Sequence, residues 1–217
     1  MPSHEETQRR QDRRLEKYAL CKIFVDLAAD WFPAIAKRDP RHALLADTYD
    51  FYVTPGDREG GDGSRLLDVS YVPRPIEPVA EMSPPRTCVT EAGASLSYRR
   101  TGRGAVLCLL EPARSHGFER PEGAIVLAHI RQPRVLTGKS IIERHWRSLI
   151  SYFEFSSIGG DPALSDQLRV WWLLFTRPLV IDGKIQPPRI VQVGGQMLKW
   201  VVTIGLSGAL LAAAGII

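Results

Sequence analysis

An uninterrupted apolar run at residues 200–217 constrains this chain more than any other stretch. The run contains no charged residue and no proline, and Lys199 stands directly before its first residue, Trp200. At a helical rise of about 1.5 Å per residue it would span roughly 27 Å, close to the hydrocarbon thickness of a bilayer. Tryptophan and lysine both favour the membrane–water interface. We therefore expect a C-terminal transmembrane helix, and the alternative is a C-terminal helix buried in the protein.

One side of that helix would carry only small residues. They recur at positions i, i+3, i+4 and i+7, which places them on one helical face: Gly205, Gly208, Ala209 and Ala212. A small-residue face lets a second helix approach closely. The pattern predicts that the anchor pairs with another copy of the chain or with another membrane helix.

The 217 residues suffice for one compact domain with appendages. We expect a charged, amphipathic helix over 1–39, a cytosolic α+β domain over 40–193, and a hinge with the membrane anchor over 194–217. The first residues carry charges with no apolar core behind them, so no secretory signal peptide is indicated. The expected location is therefore the membrane, crossed once, with the N-terminal domain in the cytoplasm.

Acidic and basic residues are distributed unevenly. Residues 40–95 hold nine acidic and five basic side chains, whereas residues 97–147 hold four acidic and ten basic ones. The basic part suits a phosphate-bearing partner such as anionic lipid. Nucleic acid is disfavoured, because aromatic residues for base stacking are sparse there apart from Tyr98.

The cysteines and histidines show no metal-ligand spacing. Cys21, Cys88 and Cys108 are odd in number and far apart, so neither a disulfide framework nor a zinc site is indicated. We expect no metal and no cofactor. Cys108 and His129 could act as nucleophile and base on neighbouring strands, but no orienting acid or local signature accompanies them.

The N-terminal segment has the pattern of a long helix. Ser3 followed by Glu6 forms a capping box, and helical character continues to about Ile35. Apolar residues recur at helical spacing in its second half: Leu15, Leu20, Ile23, Phe24, Leu27 and Trp31. This stripe is expected to pack on the protein's own core, and the alternative is a partner or a membrane surface.

The middle of the chain predicts a small antiparallel β-meander covered by helices, which defines the α+β class. Short runs with strand character are separated by turn chemistry. The expected strands are 49–54, 65–72, 87–90, 95–100, 105–110, 124–130, 179–185 with a turn at Asp182-Gly183, and 189–193.

Two amphipathic helices are expected to cover that meander. The first runs over 139–155, and the second begins with Asp161 as N-cap and Pro162 at the first helical position and runs to 176. The second has apolar residues on almost every side, which is typical of a buried helix or of one lying in a membrane interface. Its candidate interfacial residues are Trp171, Trp172 and Phe175, in a stripe with Leu164 and Leu168.

A strand followed by Gly138-Lys139-Ser140 at a helix start resembles a phosphate-binding loop. The Walker pattern requires glycine where this chain has Pro133, and proline removes a backbone donor there. A standard nucleotide cradle is therefore disfavoured. The wider set of candidate anion- or lipid-binding residues is Arg131, Arg134, Gly138, Lys139, Ser140, Arg144 and Arg147.

These features favour a tail-anchored, non-enzymatic scaffold, sensor or assembly subunit that acts through protein partners or as a homo-oligomer at the bilayer. The first alternative is a ligand-triggered bacterial membrane effector, which would bind a small anion through Arg131, Arg134 and Lys139 and perturb the bilayer on oligomerisation. The second alternative is a phosphate- or nucleotide-binding enzyme that uses the 138–140 loop.

Overall fold

The computed structural model describes residues 4–56, 65–72, 74–75, 90–115 and 122–192. Within these ranges the helices are α1 (His4–Ala36), α2 (Pro40–Ala46), α3 (Lys139–Ser156) and α4 (Leu164–Thr176), with a 3-10 helix at Pro133–Thr137. The strands are β1 (Phe51–Pro55), β2 (Arg65–Tyr71), β3 (Arg74–Pro75), β4 (Thr90–Ala92), β5 (Ser95–Arg100), β6 (Val106–Glu111), β7 (Arg114–Ser115), β8 (Ala124–Ile130), β9 (Leu179–Ile181) and β10 (Lys184–Gln186).

The α+β class is confirmed, but the sheet is larger than the meander expected from the sequence. Seven strands pair antiparallel in the order β1-β2-β5-β6-β8-β9-β10. Of the strand predicted at 87–90, only Thr90 lies within the described residues, and it begins β4, which belongs to a separate sheet of order β3-β4-β7. Strands β5 and β8 have the predicted bounds, because alternation and the flanking turns specify them locally.

The turn between β9 and β10 confirms the hairpin predicted at Asp182-Gly183. Both residues have positive φ, 52° for Asp182 and 72° for Gly183. Two left-handed residues between antiparallel strands match the twist of a hairpin, and the Asp-Gly pair is suited to that conformation. Asp182 is therefore a structural residue of the turn.

Helix α1 confirms the long N-terminal helix but buries a different side from the one predicted. Its buried residues recur every three or four positions: Cys21, Phe24, Ala28, Phe32 and Ile35. Of the predicted stripe, only Phe24 belongs to this face. Leu15 and Ile23 are exposed, and the rest are half-buried, namely Leu20, Leu27 and Trp31. The buried face also contains the small residues Cys21 and Ala28, which the predicted apolar stripe did not include.

Helix α3 lies at the centre of the core. It contacts α1, α4 and β5, and its buried residues include Ile142, Trp146, Leu149, Ile150 and Phe153. Aromatic rings surround it in edge-on contacts. The ring of Phe153, for example, lies 4.9 Å from that of Tyr71 and 5.0 Å from that of Tyr49, between centroids. Such contacts add to simple burial and orient the helix on the sheet.

One predicted helix boundary and one predicted strand are wrong. Helix α4 begins at Leu164 and not at Pro162, because the carbonyl of Ala163 accepts the first helical hydrogen bonds, from the N–H groups of Asp166 and Gln167. The strand predicted at 189–193 is helical over its described part, 189–192. There the carbonyl of Pro188 accepts from Val191 N–H at 3.0 Å. A proline pair before this turn starts a helix readily and interrupts a strand.

The predicted hinge and transmembrane helix over 194–217 lie outside the described residues. Among the helices of the described ranges, none combines the length and the apolarity needed to cross a bilayer.

Candidate functional site

Helix α4 is fixed to the protein along one side. Val170 and Leu173 enter the main core, and Asp166, in the first turn, is also buried. The Ser151 hydroxyl on α3 donates to the Asp166 Oδ1 at 2.6 Å, and Arg41 Nη1 on α2 lies 3.1 Å from the same oxygen. These contacts fix both the position of α4 and its rotation about its own axis.

The opposite side of α4 is apolar and faces away from the protein. The exposed fractions are 77% for Leu164, 71% for Leu168, 67% for Trp171, 66% for Trp172 and 40% for Phe175. We call these five residues the α4 face. They contain the three interfacial candidates predicted from the sequence, and the predicted stripe is therefore the side that does not enter the core. Burying a large apolar side chain is worth about 1.5–3 kcal/mol, so leaving several exposed together calls for a partner surface.

A polar network beneath α4 holds the helix in position. Arg41 bridges Asp166 and Asp39, with its Nε 3.3 Å from the Asp39 Oδ1. Trp146 Nε1 on α3 donates to the other oxygen of Asp39 at 3.0 Å. Burial opposes the charge of Asp39, but the hydrogen bonds from Arg41 and Trp146 outweigh it and lower the pKa of this carboxyl. Asp39 is thus held in its ionised form at neutral pH.

The predicted anion-binding residues are all exposed, and the structure distributes them over several places. Gly138 is the N-cap of α3, directly before Lys139 and Ser140, and makes no side-chain cap. Pro133 begins a 3-10 helix, and Arg134 lies within it. Arg147 lines a cavity of about 350 Å³ beside Asp39 and Trp146. Arg131 lines another cavity, beneath α1, and Arg144 lies next to the buried His145.

Cys108 and His129 point to opposite faces of the sheet. Cys108 is paired with Ala128, whereas His129 is paired with Leu107 and is exposed. Because side chains alternate along a strand, the proposed nucleophile and base cannot meet. The partner of Cys108 is His145 on α3, with 3.6 Å between Sγ and Nδ1. The two residues are 37 positions apart in the sequence, so no local pattern predicts their contact.

The Cys108–His145 pair is enclosed in the core. The Tyr98 hydroxyl lies 2.8 Å from His145 Nδ1, and the Phe24 ring of α1 lies 4.9 Å from the Tyr98 ring. Burial raises the pKa of the Cys108 thiol. Burial, aided by Arg144 and Arg177, lowers the pKa of His145 to about 4. Both groups are therefore neutral at pH 7, and a protonated, enclosed thiol is a poor nucleophile.

Within the described ranges, no group of three or more histidine, cysteine, aspartate or glutamate side chains converges as metal ligands would. Comparisons of the chain with protein-family models, with curated proteins and with solved structures found no match.

Proposed function

We propose that the protein is a non-enzymatic, membrane-bound subunit whose α4 face lies in the bilayer interface. The single observation that carries the proposal is the outward exposure of the α4 face. Two tryptophans, a phenylalanine and two leucines on one side of a helix that is fixed to the core have the composition of helices that lie at the boundary of headgroups and acyl chains. Tryptophan in particular is favoured there, because its ring is apolar and its N–H is polar.

Further exposed apolar residues follow α4 along the chain. Ile185 on β10 is 61% exposed, and Ile190 and Val191 in the next helical turn are exposed as well. They stand between α4 and the apolar run at 200–217. In this proposal the run anchors the chain in the bilayer, and the segment from α4 onward holds the domain against the membrane surface. The domain itself lies in the cytoplasm and offers its remaining surface to protein partners.

The quenching of tryptophan fluorescence by brominated acyl chains tests this proposal. The full chain would be reconstituted in phosphatidylcholine vesicles with bromine on the acyl chains, in a Trp200→Phe background that removes the tryptophan of the predicted anchor. We expect strong quenching in this background and loss of most of it on Trp171→Phe/Trp172→Phe. The matched control is Trp31→Phe, a half-buried position on α1, which should leave the quenching unchanged.

Two outcomes would contradict the proposal. Emission that is not quenched in the Trp200→Phe background would show that the α4 face does not reach the acyl chains. Quenching that persists after both α4 tryptophans are replaced would assign the lipid contact to another part of the chain.

A further inference from the structure

Several cationic side chains lie together at one end of the seven-stranded sheet. The turn between β5 and β6, residues 101–105, lies there beside the end of β8 and the first half of α1. Together they enclose a cavity of about 600 Å³, whose lining includes Lys17 of α1, Arg103 of the turn, and His129 and Arg131 at the end of β8. The volume is in the range of small-molecule binding sites, about 300–1,000 Å³.

The backbone of the turn holds this cavity in shape. Thr101 N–H donates to the carbonyl of Ala105 at 2.8 Å, and Gly104 N–H donates to the carbonyl of Thr101 at 2.8 Å. Gly104 has a φ of 72°, and a Cβ at this position would lie 3.2 Å from the Cδ of Lys17. The stem of Lys17 therefore packs against the turn, at the position where Lys17 lines the cavity.

Among the described residues, no carboxylate neutralises the charges in the cavity. Its lining contains no carboxylate, and within the part of the chain that the structure describes, Lys17, Arg103 and Arg131 form no ion pair. Arg41, in contrast, has two carboxylate partners. Three cations brought together by separate elements repel one another, and an anion between them would remove that repulsion.

A neighbouring cavity extends the positive surface along α1. It has a volume of about 440 Å³, and its lining includes Lys22, Arg65 and Arg100, with Asp26 as its one acidic residue. The Arg100 guanidinium lies 4.8 Å from the centroid of the Tyr18 ring. Cationic side chains thus continue beyond the space that a single phosphate group would occupy, and one of them, Arg65, is already paired with Asp68 at 3.4 Å.

We propose that the cavity lined by Lys17, Arg103, His129 and Arg131 binds an anion with two or more phosphate groups. Arginine and lysine supply charge-assisted hydrogen bonds to phosphate oxygens, and the imidazole of His129 adds a further donor. The ligand is either a free polyphosphorylated compound or the headgroup of a phosphorylated lipid. The inference does not depend on the α4 face, since binding of a free anion is measured without lipid.

Calorimetric titration with inorganic tripolyphosphate tests the proposal, using the full chain in non-ionic detergent at low ionic strength. We expect saturable binding of one anion per chain. The double variant Lys17→Gln/Arg131→Gln should bind about tenfold more weakly, because it removes two charge-assisted contacts. The matched control Lys37→Gln/Arg38→Gln removes the same charge from exposed positions outside the cavity and should change the affinity less than about twofold.

A third variant guards against a folding defect. Arg103 lies at the exposed tip of the turn. The substitution Arg103→Gln should weaken anion binding about threefold, with no change in the thermal stability of the free protein. The proposal would be overturned if the unaltered chain showed saturable binding neither of tripolyphosphate nor of a phosphorylated lipid headgroup. Equal weakening in the cavity pair and in the control pair would also overturn it, because it would show diffuse attraction.

Vesicles containing a phosphorylated phosphatidylinositol form the second arm and separate the two sources of the anion. If tripolyphosphate binds and the vesicles do not compete, a soluble ligand is supported. If tripolyphosphate binds more weakly to the chain reconstituted in vesicles that contain the phosphorylated lipid than to the chain in phosphatidylcholine vesicles, a lipid headgroup is supported.

Discussion

His145 is a polar side chain whose chemistry is decided by what encloses it. It is 5% exposed, and its Nδ1 faces the Tyr98 hydroxyl and the Cys108 thiol. All three groups can hydrogen-bond while neutral, whereas an imidazolium ion at this place would have no carboxylate among these partners. Burial therefore holds the histidine in its uncharged form, and the site is a fixed polar contact between α3 and the sheet.

This burial predicts that the protein is less stable in mild acid. The unfolded histidine takes up a proton as the pH falls through 6.5, whereas the folded one resists until its pKa of about 4. The neutral histidine makes its full contribution to the free energy of unfolding above pH 6.5, and this contribution is lost as the pH falls toward 4. At pH 5 the loss from this group relative to pH 7 is about 2 kcal/mol, which urea unfolding in detergent at the two pH values would measure.

The control for this prediction is His145→Gln, which keeps a hydrogen-bonding group but does not titrate. Its stability should depend less on pH between 7 and 5. Burial also lowers the pKa of His42, so some dependence of the same sign should persist in both proteins. An unaltered slope in the variant would contradict the assignment to His145.

At the scale of the element, α4 shows how a helix with two apolar sides acquires an orientation. Val170 and Leu173 face inward together with Asp166 in the same stripe, whose partners among the described residues, Ser151 and Arg41, lie on that side. A buried carboxylate without them would be costly, since an unsatisfied buried polar group costs about 1–3 kcal/mol and a charged one more. The polar residue thus decides which apolar side enters the core, and the α4 face is left outside.

We expect Asp166→Ala to loosen α4 selectively. The change leaves the Ser151 hydroxyl without its acceptor and takes one of two carboxylate partners from Arg41, at a cost of about 1–3 kcal/mol. Hydrogen exchange should become faster in α4 than in α3, because α3 retains its contacts with α1 and the sheet. Ser165→Ala, at an exposed neighbouring position, is the control. Equal acceleration in both helices, or none, would refute the anchoring role of Asp166.

At the scale of the whole molecule, the proposed protein has two different contacts with the bilayer. The run at 200–217 would cross it, and the α4 face would rest at its surface. The two contacts differ in strength, because an interfacial helix binds reversibly whereas a transmembrane helix is effectively permanent. Alkaline carbonate, which releases surface-bound proteins, separates them.

We expect the full chain to stay with membranes in alkaline carbonate. A chain stopped after Lys199 should be released by carbonate but should sediment with vesicles at neutral pH, through the α4 face. Adding Leu168→Ser/Trp172→Ser to the shortened chain should abolish that remaining sedimentation, and circular dichroism would verify that each protein is folded. If carbonate also releases the full chain, residues 200–217 do not form an anchor.

Local patterns were sufficient for much of the fold. Alternating residues and turns predicted β5 and β8 with their observed bounds, and the Asp182-Gly183 pair predicted the last hairpin. The charged start and apolar second half of α1 predicted a long helix. Each of these features depends on residues a few positions apart, so the information is present in any short window of the chain.

The sequence by itself therefore determined the α+β class, most of the elements and the apolar character of α4. Only the tertiary structure decided which side of α1 and of α4 is buried, that Cys108 meets His145 and not His129, and that Lys17, Arg103 and Arg131 line one cavity. These outcomes depend on contacts between residues far apart along the chain. A helix or strand has the same local pattern whichever neighbour it meets, so its partners are selected only when the whole core is packed and its polar groups are satisfied.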